Sequence, residues 1–282
     1  MSKQFFTVEE NYKERFYQLP KVFFTNPNYK DLSNDAKIAY AILRDRLQLS
    51  IKNNWIDTEG NIYFIYTVAD LEVILNCGNK KITKIKKELE KEFKIRCEVE
   101  NDVNCAGLGE FWLGAAKNSH SCVCLTIGTG IGGCVIINGK VLPGFSNSAG
   151  EVGYMKINGE DLQDVAATSK LVEKVAARKN IDKSDINGKI IFDLAKKGDI
   201  DCIEEIDKLV DNLTLGISYI VYVINPEVVV LGGGIMAQKE YLEEKIKTSL
   251  KEKLIESVYN NVRIEFAENQ NNAGMLGALY NF

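Results

Sequence analysis

Residues 122–137 read Cys-Val-Cys-Leu-Thr-Ile-Gly-Thr-Gly-Ile-Gly-Gly-Cys-Val-Ile-Ile, which is two apolar runs joined by a glycine-rich stretch. Short apolar runs bounded by turn residues are typical of buried strands. The glycines let backbone N–H groups approach a phosphate, because no side chain stands in the way. The stretch has no Walker lysine and leads into a strand, not a helix. It predicts strand, glycine bend and strand, as a phosphate loop or as an ordinary hairpin bend.

The sequence downstream continues an α/β pattern. Asn138-Gly139 predicts a type I′ turn. The remaining predicted elements are a helix over 203–221, a strand over 228–231, a helix over 239–254, a strand over 262–266 and a helix after residue 272. Gly232-Gly233-Gly234 lies between the second strand and its helix. Glycine turns from a strand into a helix hold nucleotides in many α/β proteins, so a nucleotide site is one interpretation of this turn.

Upstream of the glycine stretch, a carboxylate stands at a predicted strand end. Ile95–Val99 predicts the strand, and Glu100-Asn101-Asp102 follows it. A carboxylate in this position can act as a general base toward a hydroxyl group. Aspartate is also a favoured N-cap of a helix, and the sequence predicts a helix from here to about Ala116. Residue type alone favours the N-cap, and the general base is the alternative interpretation of Asp102.

The first 90 residues have a different character. Tyr17–Phe24 predicts an extended segment, Ser33 an N-cap, and residues 55–66 a hairpin. A short helix from Thr67 to Leu75 is followed by Cys77-Gly78 and then by a lysine-rich helix over 79–92. A short helix, a turn with glycine and a second helix form the helix-turn-helix pattern.

The lysine-rich helix is amphipathic. Ile82, Ile85 and Leu89 fall on an inward face. The residues predicted to face outward, toward phosphates and base edges, are Asn79, Lys80, Lys81, Thr83, Lys84 and Lys87. The alternative is a solvated basic face on an ordinary helical core.

Composition bounds the classes of function. The formal net charge of the chain is -4, but the first 90 residues carry 14 Lys+Arg against 12 Asp+Glu, so the excess of acid lies behind them. The seven cysteines mostly sit in apolar settings and predict buried reduced thiols rather than a metal site. We find neither a signal-peptide pattern nor a membrane-length apolar run, so we expect a cytoplasmic protein without a membrane partner.

Residues 4–90 resemble the N-terminal domain of plasmid replication initiator A proteins. The resemblance rests on three blocks in order: Phe5 to Phe24, Leu32-Ser-Asn-Asp-Ala-Lys-Ile-Ala-Tyr40 and Thr67–Leu89. It implies a winged helix-turn-helix that binds duplex DNA at repeated origin sites, usually as a homodimer. The hairpin wing expected after the recognition helix is missing from the sequence.

Residues 91–282 resemble the ROK family of sugar kinases, named for repressors, open reading frames and kinases. The matching motifs are Glu100-Asn-Asp102, Gly128-Thr-Gly-Ile-Gly-Gly133, Ala149-Gly-Glu-Val-Gly153, Pro226 to Gly234 and Ala273 to Ala278. The resemblance implies ATP, Mg²⁺ and a sugar as ligands. The implied roles are base for Asp102, sugar binding for Asn101 and Glu151, phosphate contact for Thr129 and Gly130, and adenosine contact for Gly233 and Gly234.

The sequence departs from the ROK pattern in several places. The glycine-rich first phosphate loop with its Asp is missing. Tyr154 stands where the family often has His, and Gln163 where many members have a sugar-binding Glu. No cysteine-rich segment follows, so we expect no zinc. With half of the phosphate clamp missing, the resemblance implies a lobe that loses most of its activity.

Together these features predict an α/β protein of two domains. Residues 1–90 form a winged helix-turn-helix-like module. Residues 91–282 form an actin-like (ribonuclease H-like) kinase lobe that is incomplete at its N-terminal side, so its terminal helix is expected to lack cover. The favoured function is DNA binding of the replication-initiator type with an impaired kinase lobe. The alternatives are a glucokinase-like ATP-dependent hexose kinase, a sugar-responsive ROK-type transcriptional regulator and a recombined product without activity.

Overall fold

The computed structural model describes residues 16–52, 68–94 and 100–281. The hairpin predicted over 55–66, the strand predicted over 95–99 and Cys97 lie outside the described residues. The contacts divide the chain into two compact units, residues 1–99 and residues 100–282. They are called the front unit and the rear unit below, and each is described by itself. The domain boundary predicted at residue 90 falls inside a helix of the front unit.

The described part of the front unit contains four α-helices: α1 (Val22–Thr25), α2 (Asn34–Lys52), α3 (Val68–Leu75) and α4 (Asn79–Phe93). The prediction that Tyr17–Phe24 is extended is wrong at its end, because α1 begins at Val22. Phe23 is buried between exposed neighbours, which imitates the alternation of a strand. The helical turn is closed by Asn26 N–H donating to the Val22 carbonyl at 3.0 Å.

The start of α2 is fixed by hydrogen bonds within the front unit. Ser33 is the N-cap as predicted, since its hydroxyl accepts from Ala36 N–H at 3.2 Å. The backbone N–H of Ser33 donates to Glu88 of α4 at 3.0 Å. Partial burial works against ionisation of Glu88, but the hydrogen bonds from Ser33 lower the pKa of its carboxyl. The charged Glu88 therefore ties α4 to the first turn of α2.

An aromatic cluster forms much of the front core. Phe23 packs edge-on against Tyr40 with ring centroids 4.9 Å apart, and Phe93 stacks on Tyr40 at 5.0 Å. Ile85 and Leu89 of α4 are buried in the same core. Because Phe93 is the last residue of α4, aromatic packing holds the far end of the lysine-rich helix.

The rear unit is built on a five-stranded sheet in the order β3-β2-β1-β6-β7. Its strands are β1 (Ser121–Ile127), β2 (Ile131–Ile137), β3 (Lys140–Val141), β6 (Val228–Gly232) and β7 (Arg263–Phe266), and a separate pair is formed by β4 (Lys156–Ile157) and β5 (Glu160–Asp161). β1 runs antiparallel to β2 and parallel to β6, and β6 runs parallel to β7. Asn138 and Gly139 have φ of 52° and 74°, as the predicted type I′ turn requires.

Helices cover both faces of this sheet. They are α5 (Asp102–Leu113), α6 (Leu162–Ala166), α7 (Thr168–Lys179), α8 (Gly188–Lys196), α9 (Ile200–Ile224), α10 (Lys239–Lys253), α11 (Glu256–Tyr259) and α12 (Ala273–Asn281). Val123, Leu125 and Ile127 of β1 face the larger core, which includes α9. Cys122 and Cys124 face the smaller core beside α5. Two-sided burial explains why β1 carries consecutive apolar residues over 122–125 instead of alternating.

The terminal helix α12 packs tightly on α5. A Cβ at Gly277 would collide with the carbonyl of Cys105, so the two backbones approach closely. The ring of Tyr280 lies 5.6 Å from Trp112 and 6.3 Å from Phe111. The expectation that the terminal helix lacks cover is therefore wrong, because α5 supplies that cover.

A buried carboxylate joins α5 to the loop after β7. Glu110 is 1% exposed. Its oxygens accept from the backbone N–H groups of Ala115 at 2.9 Å, Glu268 at 3.1 Å and Asn269 at 2.8 Å. Three donors satisfy a charge that would otherwise be costly to bury.

The six cysteines in the described residues are free, and five of them are buried. Burial raises the pKa of Cys105 to about 11 and that of Cys122 to about 12, so these thiols stay protonated and unreactive at neutral pH. The prediction of buried, unpaired thiols is confirmed for these five, whereas Cys77 is only half-buried. Within the described ranges, no helix is long and apolar enough to span a membrane.

Candidate functional site

Three backbone segments of the rear unit meet where the inner strands β1 and β6 end. The parallel strands β1 and β6 end side by side, with Thr126 opposite Gly232. The start of α7 joins them there. Thr168 N–H donates to the Gly128 carbonyl at 2.9 Å, and the Ser169 hydroxyl donates to the Thr129 carbonyl at 2.6 Å. Ligands of open α/β sheets bind outside the carboxyl ends of such strands.

The two glycines that follow β6 have different surroundings. Gly233 has φ +105°, and a Cβ there would collide with the carbonyl of Ile127. It therefore allows the turn to pass against the end of β1. Gly234 does not have a positive φ, and a Cβ there would meet nothing within 4 Å. Gly234 faces open space at the sheet edge.

A cavity of about 240 Å³ lies beside Gly234. Its lining residues are Thr168, Asn187, Gly188, Lys189, Gly234, Ile235 and Gln238. Asn187 is also the N-cap of α8, since its Oδ1 accepts from Ile190 N–H at 3.0 Å. Of the four residues predicted to contact ATP, Gly234 lines this cavity, whereas Thr129, Gly130 and Gly233 do not. Sequence reasoning missed the α8 start, although Asn187-Gly188 is a recognisable helix-start signal.

The start of α5 carries the predicted base. Asn101 is the N-cap, because its Oδ1 accepts from Val103 N–H at 2.8 Å and Asn104 N–H at 3.3 Å. Asp102 is the first residue of the helix, so the interpretation of Asp102 as the N-cap is wrong. Its Oδ1 accepts from Val103 N–H at 3.0 Å. Both side chains are exposed, which leaves the Asp102 carboxylate accessible to a ligand.

The predicted sugar-binding segments flank the start of β2. A Cβ at Gly132 would lie 2.7 Å from Val103 Cγ2, so the start of α5 lies against this strand. A Cβ at Gly133 would lie 2.7 Å from the Gly150 carbonyl, which places the segment of Glu151 beside the next residue of β2. Glu151 is exposed. The two segments thus lie at the start of β2 but against its opposite faces, because consecutive strand residues point to opposite sides of a sheet.

Gln163 also lies at this end of the sheet. A Cβ at Gly130 would lie 3.1 Å from Gln163 Oε1, and a Cβ at Gly153 would lie 3.3 Å from the same atom. The Gln163 side chain therefore reaches the glycine bend. From the sequence, this residue stands out only because many ROK members have a sugar-binding Glu in its place. Within the described residues, no group of three or more His, Cys, Asp or Glu side chains is arranged to hold a metal ion.

The front unit presents a second candidate surface, on α4. All six residues predicted to face DNA are exposed: Asn79, Lys80, Lys81, Thr83, Lys84 and Lys87. Ile82, Ile85 and Leu89 are buried as predicted. The Thr83 hydroxyl donates within this surface, to Asn79 O at 3.1 Å or Asn79 Oδ1 at 3.2 Å.

Four exposed lysines lie in one line along α4. Lys80, Lys84, Lys87 and Lys91 are spaced by four, three and four residues, which keeps them on one face over about 16 Å. They are called the lysine stripe below. No ion pair among the described residues involves any of the four. Sequence reasoning missed Lys91, although the same helical spacing leads to it.

Lys81 is in a different situation. Its ammonium group lies 3.0 Å from the Asp35 carboxylate at the start of α2. The hydrogen bond with Asp35 raises the pKa of Lys81. This contact partly neutralises Lys81 and, with the Glu88–Ser33 hydrogen bond, attaches α4 to α2.

Comparison with known proteins identifies the class of protein to which this fold belongs: an α/β lobe of the kinase type together with a helical front module. Residues 70–282 match the family model described as the ROK family. The chain belongs to the ROK family. Residues 15–101 match the model described as Replication initiator protein A (RepA) N-terminus. The chain is thus a fusion of a RepA N-terminal sequence with a ROK domain.

Two relatives each match 70% of the chain. The uncharacterized protein CPE0188 of Clostridium perfringens is 62% identical over 198 residues, which are 70% of this chain and 67% of the relative. A beta-glucoside kinase of Listeria innocua is 32% identical over 208 residues, 70% of this chain and 68% of the relative. The chain thus spans about two thirds of the length of these relatives.

Solved structures support the fold of the rear unit. A ROK family glucokinase from Streptomyces griseus, in complex with glucose and AMPPNP, superposes with a TM-score of 0.61 and 25% identity, over 69% of this chain and 70% of its own. The rear unit has the actin-like α/β fold of ROK kinases. A structure described as an MDR initiator is 98% identical over 32% of this chain and 74% of its own, with a TM-score of 0.28, so that likeness is one of sequence.

Proposed function

We propose that the protein binds duplex DNA through α4. The observation that carries the proposal is the lysine stripe, which is exposed while Ile82, Ile85 and Leu89 hold the opposite face of the helix in the core. A line of ammonium groups on a rigid helix matches the regular charge of a phosphate backbone. Asn79 and Thr83 lie beside the stripe, where amide and hydroxyl groups can read base edges.

The acidic groups of α4 do not interrupt this surface. Glu88 and Glu90 project roughly 80° to either side of the stripe, and Glu92 projects roughly 110° from it. The Glu88 carboxylate accepts from Ser33 N–H, and Glu90 lies 3.9 Å from Lys86. Lys81 contributes less than the stripe because Asp35 already neutralises it. The resemblance to RepA further favours binding as a homodimer, in which two copies of α4 meet two half-sites.

The test is a DNA-binding titration of the full chain at several salt concentrations. Replacing Lys80, Lys84 and Lys87 by Ala should weaken binding to any duplex and flatten the slope of log K against log salt by about 2.7, or 0.9 for each phosphate contact. The control variant removes equal charge from exposed lysines of the rear unit, namely Lys183, Lys197 and Lys251. An unchanged slope in the α4 variant, or an equal loss in the control, would refute the proposal.

The sheet edge of the rear unit favours a second function, purine nucleotide binding in the 240 Å³ cavity. Two observations support it: Gly234 leaves open space beside the cavity, and the starts of α7 and α8 contribute to its lining. Helix starts favour anions because their first N–H groups are unpaired. Belonging to the ROK family supports ATP as the nucleotide, with Mg²⁺ to neutralise the phosphates.

We further propose that this lobe transfers phosphate to a hexose poorly or not at all. Asp102 would be the base and Asn101 and Glu151 the sugar ligands, and their segments lie against the consecutive residues Gly132 and Gly133 at the start of β2. The residues that precede Glu100 do not include the glycine-rich first phosphate loop. Phosphoryl transfer depends on positioning and charge neutralisation, so half a clamp leaves the barrier high.

A coupled assay with ATP, Mg²⁺ and glucose, mannose or an aminosugar tests this proposal. We expect no turnover above the blank. Turnover that disappears in Asp102→Asn would refute the proposed impairment and assign hexose phosphorylation to the chain. Turnover that persists in Asp102→Asn would identify a contaminating kinase.

A further inference from the structure

The second half of α9 carries no charged side chain on its outer face. From Asn212 to Pro226 the chain has neither Asp, Glu, Lys nor Arg, although these residues make up 26% of the sequence. The outer side of a surface helix normally carries charged residues that keep it in water. This part of α9 is exposed through apolar and aromatic side chains instead.

Four of these apolar side chains form one exposed patch. Tyr222 and Val223 follow Tyr219 by three and four positions, so all three lie on one face of α9. They are 47%, 80% and 46% exposed, in that order. Ile255 is 59% exposed and joins them, because its N–H donates to the Tyr222 hydroxyl at 2.9 Å. These four residues are called the tyrosine patch below.

The Tyr222 ring is held in a fixed position within the patch. Its hydroxyl accepts from Ile255 N–H and donates to the Lys253 carbonyl at 3.3 Å. These bonds attach the end of α9 to the segment between α10 and α11. Because Tyr222 is already ordered, burying it against a partner costs little rotamer freedom. Ordered tyrosines that remain half-exposed are typical anchors of protein interfaces.

We infer that the tyrosine patch is a self-association surface, where a second copy of this chain packs by two-fold symmetry. The inference goes beyond the proposed DNA and nucleotide binding and depends on neither. The four side chains together expose roughly 400 Å². A standard interface covers about 800 Å² on each partner, of which about 60% is apolar. The patch therefore supplies most of the apolar area that one dimer contact needs.

The absence of charge on this face of α9 favours a second copy as the occupant. A two-fold contact places the same surface on both sides, so any charge near its centre would face a like charge. Two uncharged faces meet without that cost. An acidic or basic partner would find no opposite charge to pair with on this face. Helices that bind membrane surfaces are usually rich in Lys and Arg on their polar face, and the span from 212 to 226 has neither.

The experiment is sedimentation velocity of the full chain without DNA, over a range of concentrations. We expect a reversible dimer with a dissociation constant of about 1 μM or below. Val223→Asp should raise that constant at least about a hundredfold, because the symmetric contact would bury two unpaired carboxylates. Val223 is so exposed that neither this change nor Val223→Ile should affect folding, and Val223→Ile should preserve the dimer. The matched control is Ile200→Asp, at an apolar residue that is 69% exposed at the start of the same helix, and it should leave the constant unchanged.

Three outcomes would overturn the inference. The first is a parent that stays monomeric at every concentration. The second is a dimer that survives Val223→Asp with an unchanged dissociation constant, which would place the contact elsewhere in the chain. The third is an equal weakening by Ile200→Asp, which would be a general effect of added acid. If a monomeric parent co-sediments with phosphatidylcholine vesicles and Val223→Asp does not, the tyrosine patch binds lipid instead of a second copy.

Discussion

Alanine at Gly233 and at Gly234 should have opposite consequences, although the two glycines are adjacent. Gly234→Ala adds a methyl group that meets no protein atom within 4 Å and points into the open space beside the cavity. Gly233→Ala places a methyl group against the carbonyl of Ile127, at φ +105°. The first change tests the ligand site and the second tests the fold.

Gly233→Ala should lower the free energy of unfolding, whereas Gly234→Ala should lower the affinity for the nucleotide. The backbone region of Gly233 is nearly exclusive to glycine and costs another residue roughly 1–3 kcal/mol, to which the overlap with Ile127 adds. A loss of about 3 kcal/mol lowers the Tm of a unit of this size by roughly 6–12 °C. Gly234→Ala should change stability by less than about 0.5 kcal/mol, as an uncrowded surface substitution does. Crowding a fitted purine by one methyl costs roughly 1–3 kcal/mol, so its Kd should rise about fivefold to a hundredfold.

Thermal unfolding and calorimetric titration with ATP and GTP measure the two effects on the same samples. The pattern we expect is a stable Gly234→Ala variant with weak nucleotide binding and an unstable Gly233→Ala variant. A Gly234→Ala protein that unfolds like the parent and binds nucleotide equally well would show that the cavity is not the nucleotide site. An equally stable Gly233→Ala protein would contradict the described path of the turn.

Three further predictions concern charges. In DNA titrations, Lys91→Ala should flatten the salt slope by about 0.9 whereas Lys81→Ala should change it much less; equal changes would contradict the distinction. Glu110→Gln should cost about 2 kcal/mol in urea unfolding, because its new NH₂ group cannot accept a backbone N–H; unchanged stability would refute that role. The hydrogen bond from Lys179 lowers the pKa of Asp199, so the stability that this ion pair contributes is complete above pH ~5 and is lost as acid protonates Asp199. Asp199→Asn removes the titrating carboxyl and keeps an N-cap for Cys202 N–H. The stability of this variant should therefore depend less on pH below pH ~4 than that of the parent.

The centre of the sheet could be predicted from the sequence because its central strands are buried on both faces. Val228–Leu231 is buried at every position, so its apolar run has no polar interruption. The type I′ turn at Asn138-Gly139 could also be predicted from the sequence, because few residue pairs adopt φ > 0 at both central positions of such a turn. These signals are local and do not depend on distant residues.

Predictions at element starts were less successful, because two residue types compete there. Asn101 and Asp102 are both good N-caps by residue type, and the backbone of Asn101 at φ -64° and ψ 143° decides between them. The prediction at Phe23 failed for another reason, since a helical turn was predicted as an extended segment. Its burial between exposed neighbours imitates a strand, and only its tertiary contact with Tyr40 shows why one helical turn forms there.

The cavity beside Gly234 could not be predicted as a unit. Its lining comes from the start of α7, the start of α8 and the turn after β6, which are far apart in sequence. Family motifs led to Gly234, the only predicted ATP contact among the lining residues.

The proposed nucleotide binding and the proposed loss of phosphoryl transfer are compatible for a physical reason. The five-stranded sheet has helices of the rear unit on both faces, and α12 closes the smaller face by packing on α5. The cavity therefore needs only elements inside residues 100–281. Phosphoryl transfer needs a second set of hydrogen-bond donors around the phosphate. The residues before Glu100 contain no glycine-rich loop that could supply them. A lobe of this kind can hold a ligand and still lack the geometry for its chemistry, which is the behaviour expected of a binding module.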